Sequence, residues 1–325
     1  GTPEQKEKYL GKITSGEWSL EEGLVTMLKL FAGEIKSSEV ALGQGVEETE
    51  GTGILRVASH YLQTGTDQAT RDEITRLLTI ITPSQEALDR FSIPKAQASG
   101  QKQNIPVGAK KLAAPARQDL QDCARLWAEG FDFLETAHFP CFLFDKLIIG
   151  SNDYQVYYPL AWVEDTSRNL YYSATLEAIE DSVAKYSPFG SLIPIYFVFY
   201  PMDHSSSRAL ATTFSSSFDP DVEACPVVIY PDAMGTGMGY EGEVENFKQA
   251  IAHEIFHCFQ LWNLGDQYYG PEFDSKWWIE GTAQYFSNLV YPSTNLEQIW
   301  ANRFSLNSTR KPLTNMSYEN FAFFQ

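Results

Sequence analysis

The stretch Ala252-His253-Glu254-Ile255-Phe256-His257-Cys258 constrains this chain more than any other. Two histidines four residues apart lie on one face of a helix, where both imidazoles can aim a ring nitrogen at a single ion. Glu254, offset by one residue, falls beside such an ion rather than on it, so its carboxylate can take a proton from a bound water. With five histidines in 325 residues, accident produces this pattern in roughly one such chain in two hundred. A third ligand is therefore required before the reading carries weight.

Glu280, in Lys276-Trp277-Trp278-Ile279-Glu280-Gly281-Thr282-Ala283-Gln284-Tyr285-Phe286, is the candidate, with 22 residues between it and His257. In that interval Gly265, Gly270 and Pro271 end one helix and make a turn, and Asp274 or Ser275 can cap the next. Two antiparallel helices bring Glu280 back over the histidines. The result is a His2Glu set with one position open to water or substrate, the mark of a catalytic rather than a structural zinc site.

His-Glu-x-x-His followed by Trp-x-x-Glu-Gly-x-Ala-x-Tyr resembles the gluzincin metallopeptidases, in particular the branch that includes the M1 aminopeptidases. The resemblance covers these two motifs and extends over about residues 140 to 325. It implies Zn2+ held by His253, His257 and Glu280, Glu254 as general base, and peptide or protein substrates. It also implies a donor to the oxyanion that forms when water adds to the carbonyl. Ser317-Tyr318-Glu319-Asn320 is similar to the family's tyrosine turn without its glycine, so Tyr318 is the first choice; Tyr268 and Tyr269, between the second histidine and the glutamate, are the rivals. Gln284, one turn beyond Glu280, stands where many gluzincins carry an acidic residue that orients a zinc histidine. The amine-anchoring Gly-x-Met-Glu-Asn segment of M1 aminopeptidases is absent from the sequence, which points to an endopeptidase or processing protease. Gluzincins continue with a helical subdomain that closes the cleft; the apolar end Phe321-Ala322-Phe323-Phe324 implies a continuation past Gln325, or a partner chain, to complete that side.

Two other readings are open. One is a catalytically weak or inactive zinc-binding module acting in binding or regulation. The other is a hydrolase resembling peptide deformylase, with Cys225 as a ligand, which leaves the Trp-x-x-Glu-Gly segment unexplained.

The chain is expected to be α+β: a helical N-terminal domain (1–95), a linker (96–117), and a thermolysin-like gluzincin domain (118–325) with a mixed sheet and active-site helices. Amphipathic helices are expected at 20–31, 53–62 and 69–80, and a further helix at 170–185. Strands are expected at 137–149, 154–159, 193–200, 209–215 and 226–230, with the last, or the strand before it, binding the substrate backbone at a sheet edge. The glycine-rich loop 232–240 lacks the lysine and the spacing of a phosphate loop.

The 96–117 segment carries Lys102, Lys110, Lys111 and Arg117 and no acid. It is read first as a solvated connector, and otherwise as a basic strand laid on an acidic body or a site of maturation cleavage. The helical unit before it is either an inhibitory, propeptide-like domain or an attached recognition domain. A net charge of −18 argues against nucleic acid and anionic membrane surfaces as partners. Four cysteines without a C-x-x-C pair allow two disulfides and leave the compartment open, a secreted or periplasmic setting being favoured.

Overall fold

The computed structural model describes residues 20–32, 34–35, 51–81, 85–90, 92–94, 142–162, 165–199, 211–213, 224–230, 244–264, 276–294 and 298–325. The linker 96–117, the glycine loop 232–240, Tyr268, Tyr269, Cys123 and Cys141 lie outside the described residues.

Among the described residues four helices come first: α1 (Leu20–Phe31), α2 (Gly51–Thr64), α3 (Gln68–Ile81) and α4 (Gln85–Arg90). On α3, Ile74, Leu77, Leu78 and Ile81 are buried at positions i, i+3, i+4 and i+7, the stripe a helix needs to pack on one side. Asp67 caps that helix, accepting the Thr70 N–H at 2.7 Å.

Six strands form one mixed sheet: β1 (Ser92–Pro94), β2 (Phe142–Ile149), β3 (Asn152–Pro159), β4 (Ile195–Phe199), β5 (Ala211–Thr213) and β6 (Cys225–Ile229), in the order β1-β2-β3-β4-β6-β5. Strands β2 and β3 make a two-residue hairpin with Ile149 opposite Asn152; its first turn residue, Gly150, sits at φ +64°, which a side chain disfavours. Between the parallel neighbours β3 and β4 runs α5 (Thr166–Tyr186). After β6 come α6 (Val244–Leu264), α7 (Lys276–Val290) and α8 (Gln298–Asn307). Short 3-10 turns at Leu313–Asn315 and Tyr318–Asn320 then lead to α9 (Phe321–Phe324).

Because side chains alternate across a strand, the sheet feeds two cores. Ile195, Phe197 and Phe199 of β4, with Cys225, Val227 and Ile229 of β6, pack on one face with residues of α5, α6 and α7. Tyr196, Val198 and Val228, with Tyr157 of β3, point to the other face and pack with Leu28, Leu55, Leu77 and Leu88 of α1 to α4. Both faces being covered explains why β4 and β6 read as continuous apolar runs instead of alternating ones.

The architecture is α+β, as expected. The described helices of the segment 1–95 share a core with the sheet, and β1 joins that sheet beside β2. Of the two strands expected to offer a sheet edge, β6 is interior, with β4 and β5 on its two sides, and β5, the strand before it, lies at an edge of the described sheet, with β1 at the other. No helix among the described residues is long and apolar enough to cross a membrane.

Candidate metal centre

Helix α6 is buried almost all round from Ile251 to Cys258, which is unusual for a segment carrying two histidines and a glutamate. Such groups tolerate burial only when they are paired. The pairings tie this helix to α7 and to β5.

His253 and His257, one turn apart, turn their Nε2 atoms to within 3.0 Å of each other. Glu280 of α7 closes the triangle, its Oε2 lying 3.2 Å from His253 Nε2 and 3.3 Å from His257 Nε2. All three side chains are buried, and the group can hold a metal ion. Burial by itself would press the His257 imidazole down, yet the charge and hydrogen bond of Glu280, helped by the Glu254 charge and the Gln260 amide, lift it to about 9. Burial pushes the Glu280 carboxyl up, but the charges and hydrogen bonds of the two histidines hold it well below the carboxylate range. The site is electrostatically built for positive charge.

Glu254 stands next to this triangle. Its Oε2 accepts the Thr213 Oγ1 hydrogen at 2.6 Å, and the same hydroxyl lies 3.1 Å from the Glu254 carbonyl. Thr213 ends β5, which lies at one edge of the described sheet, so the carboxylate beside the candidate ion is steered by an edge strand. On the opposite flank, Tyr186 of α5 donates to the Ala252 carbonyl at 3.0 Å. Below, Cys258 is disulfide-bonded to Cys225 of β6, both residues fully buried. Cys225 is therefore a staple and not a metal ligand, which removes the deformylase-like alternative.

The remaining tie is Gln260. Its Oε1 lies 2.8 Å from His257 Nδ1, while its Nε2 donates to the Ile279 carbonyl and the Thr282 hydroxyl of α7. Gln284 does not orient a histidine as expected: it is buried, its Nε2 has no partner among the described residues, and neither does His253 Nδ1.

Tyr318 is brought to the site. Its ring centre is 5.6 Å from that of His253, and it stacks at 5.0 Å on Trp300 of α8, over which Arg303 lies in turn. Gly281 makes this possible. A Cβ there would stand 2.8 Å from Asn320 Cβ and 3.0 Å from Phe324, so the glycine after Glu280 lets the C-terminal segment lie directly on α7. Asn320 fastens that segment by donating to the carbonyls of Trp277 and Leu313.

Gln260, Thr213, Trp300 and the Cys225–Cys258 pair are absent from the sequence-based site. Of these, Gln260 alone had a local signal, since three residues beyond His257 is the same helix face. Comparison with known protein families, curated proteins and solved structures gives no match.

Proposed function

We propose that the protein is a zinc-dependent metallopeptidase of gluzincin type, acting as an endopeptidase or processing protease. The observation that carries the reading is the convergence of His253, His257 and Glu280 on one point with Glu254 alongside. The separations of 3.0, 3.2 and 3.3 Å between their donor atoms approach the edge of about 3.3–3.4 Å for a tetrahedron with zinc bonds of about 2.0–2.1 Å. Two neutral imidazoles and one carboxylate are also a donor set typical of catalytic zinc. When bound, zinc supplies Lewis acidity and brings the pKa of a coordinated water towards about 7.

The chain's own groups do the rest. Glu254, with Oε2 tethered to Thr213, accepts the water proton through Oε1 as the scissile carbonyl is attacked, and passes it to the leaving amine. Tyr318 donates to the oxyanion. Strand β5, an edge strand whose last residue touches Glu254, takes the substrate backbone as a further strand, which brings the scissile bond near the carboxylate. On this reading α6, α7 and the sheet form a thermolysin-like domain.

The test is metal analysis of the purified chain followed by a peptide-library cleavage profile for wild type and Glu254→Gln. Glu254→Gln is expected to bind zinc within about threefold of wild type while turnover falls by at least the roughly 10²–10⁴-fold ascribed to a general base. Unchanged turnover refutes the role of Glu254. Zinc bound without cleavage of any peptide supports instead an inactive binding or regulatory module.

A further inference from the structure

The hydrogen-bond polarity around Gln260 is forced by its neighbours. The Thr282 Oγ1 hydrogen goes to the Trp278 carbonyl at 2.6 Å, which leaves that hydroxyl only lone pairs to offer Gln260. The Ile279 carbonyl, 3.0 Å from Gln260 Nε2, is an acceptor by nature. Two acceptors therefore face the same end of the amide, and only its NH2 group can satisfy both. Flipping the amide would turn its oxygen onto a carbonyl. With Nε2 so placed, Oε1 must face His257 Nδ1 at 2.8 Å, and Nδ1 must be the atom that carries hydrogen. In the neutral ring the Nε2 lone pair of His257 is then left pointing at His253 and Glu280.

We propose that Gln260 is the positioning residue of this centre, fixing His257 in the Nδ1–H form and tying the helix that carries the histidines to the turn that carries Glu280. The proposal rests on the metal reading above. The tie is short in sequence terms as well as in space: Ile279 immediately precedes Glu280, so the amide holds one ligand by its ring and the other by the adjoining peptide. A neutral amide also leaves Glu280 as the centre's one ligating carboxylate. Outer partners of this kind typically contribute 10–100-fold to metal affinity.

Three full-length proteins separate the two halves of this role: wild type, Gln260→Leu and Gln260→Glu, each titrated with cobalt(II) by its visible absorption and then with zinc in competition. Gln260→Leu loses both halves and is expected to bind about 10–100-fold more weakly. Gln260→Glu keeps an acceptor for Nδ1–H but turns its second oxygen onto the Ile279 carbonyl. It is expected to bind within about threefold of wild type while melting at a lower temperature, because only the tie between helices is lost. Should Gln260→Leu fail to fold, nitrogen-15 histidine spectra of zinc-loaded wild type decide the matter alone, with hydrogen on Nδ1 of His257 expected. Hydrogen on Nε2, or leucine and glutamate variants that are equally weak, or a leucine variant as tight as wild type, overturns this proposal. A wild-type chain that takes up no cobalt overturns the metal reading beneath it.

Discussion

Replacing both halves of the Cys225–Cys258 disulfide by alanine separates what stabilises the fold from what shapes the metal centre. The bond spans 33 residues of sequence and joins the sheet strand β6 to the helix α6 at the residue after His257. Closing a loop of that length in the unfolded chain corresponds to about 3.7 kcal/mol at 25 °C in the chain-entropy account. The two sulfurs are fully buried, and deleting them adds about 1–2 kcal/mol of lost packing. The combined loss of about 5 kcal/mol corresponds to a fall of roughly 7 °C in Tm for a chain of this length. Metal affinity should behave differently. Around the two histidines, the Tyr186 bond to Ala252, the Thr213 bond to Glu254 and the Gln260 bonds to α7 are untouched by the substitution. Cobalt titration well below the transition is accordingly expected to give an affinity within about tenfold of wild type, whereas calorimetry in chelator shows the full loss of stability. A Tm within about 3 °C of wild type refutes the staple argument. A hundredfold loss of cobalt affinity in the folded variant refutes the independence of the centre.

Other outcomes follow from the same geometry. Gly281→Ala gains about 1 kcal/mol of helix propensity, but its Cβ would meet Asn320 at 2.8 Å and the Asn320 carbonyl carbon at 3.2 Å. Overpacking of about 1–3 kcal/mol wins, the C-terminal turn shifts, and kcat falls through Tyr318 with cobalt affinity unchanged; an unaltered kcat counts against Tyr318. The metal-free chain should be most stable near pH 4.5–6.5. His257, raised to about 9, contributes stability below its ordinary 6.5 that is lost as pH rises through about 9; Glu280, lowered from 4.5, contributes above 4.5 and loses it on further acidification. Zinc must displace the His257 proton, so apparent affinity should climb about tenfold per pH unit between 7 and 9, and a flat profile contradicts the pairing. Cutting an engineered protease site in place of Lys110-Lys111 should leave both fragments associated and peptide hydrolysis unchanged. Tyr157, Tyr196 and Val228, which α1 to α4 cover, are buried on the sheet face away from α6; a gain in activity on cutting supports the inhibitory, propeptide-like reading over the recognition-domain one.

The parts of this protein that its sequence determined are those set by short-range periodicity. A 3.6-residue repeat is written into any stretch long enough to make two turns, so the helices Leu20–Phe31, Gln68–Ile81 and Thr166–Tyr186 fall within a few residues of where apolar spacing puts them. The same repeat set His253 and His257 on one face and Glu254 off it. Glu280 needs more than periodicity: the turn and cap residues between the motifs bring the chain back over the histidines, and the resemblance of its motif names it as the third ligand. What tertiary structure alone decided depends on contacts between residues far apart in the chain. A strand's residues say which of two faces each side chain takes but not which strand is its neighbour. The short strand Ala211–Thr213 thus shared the edge assignment with the strand after it, and nothing in its residues said that Thr213 would meet Glu254, 41 residues later. Nor could four cysteines announce that Cys225 pairs with Cys258 and so cannot be a ligand. The choice of Gln260 over Gln284 was settled the same way. Both lie on plausible faces of their own helices, and only the packing of α6 on α7 brings the Ile279 carbonyl and the Thr282 hydroxyl to one end of the Gln260 amide, leaving the other end for His257.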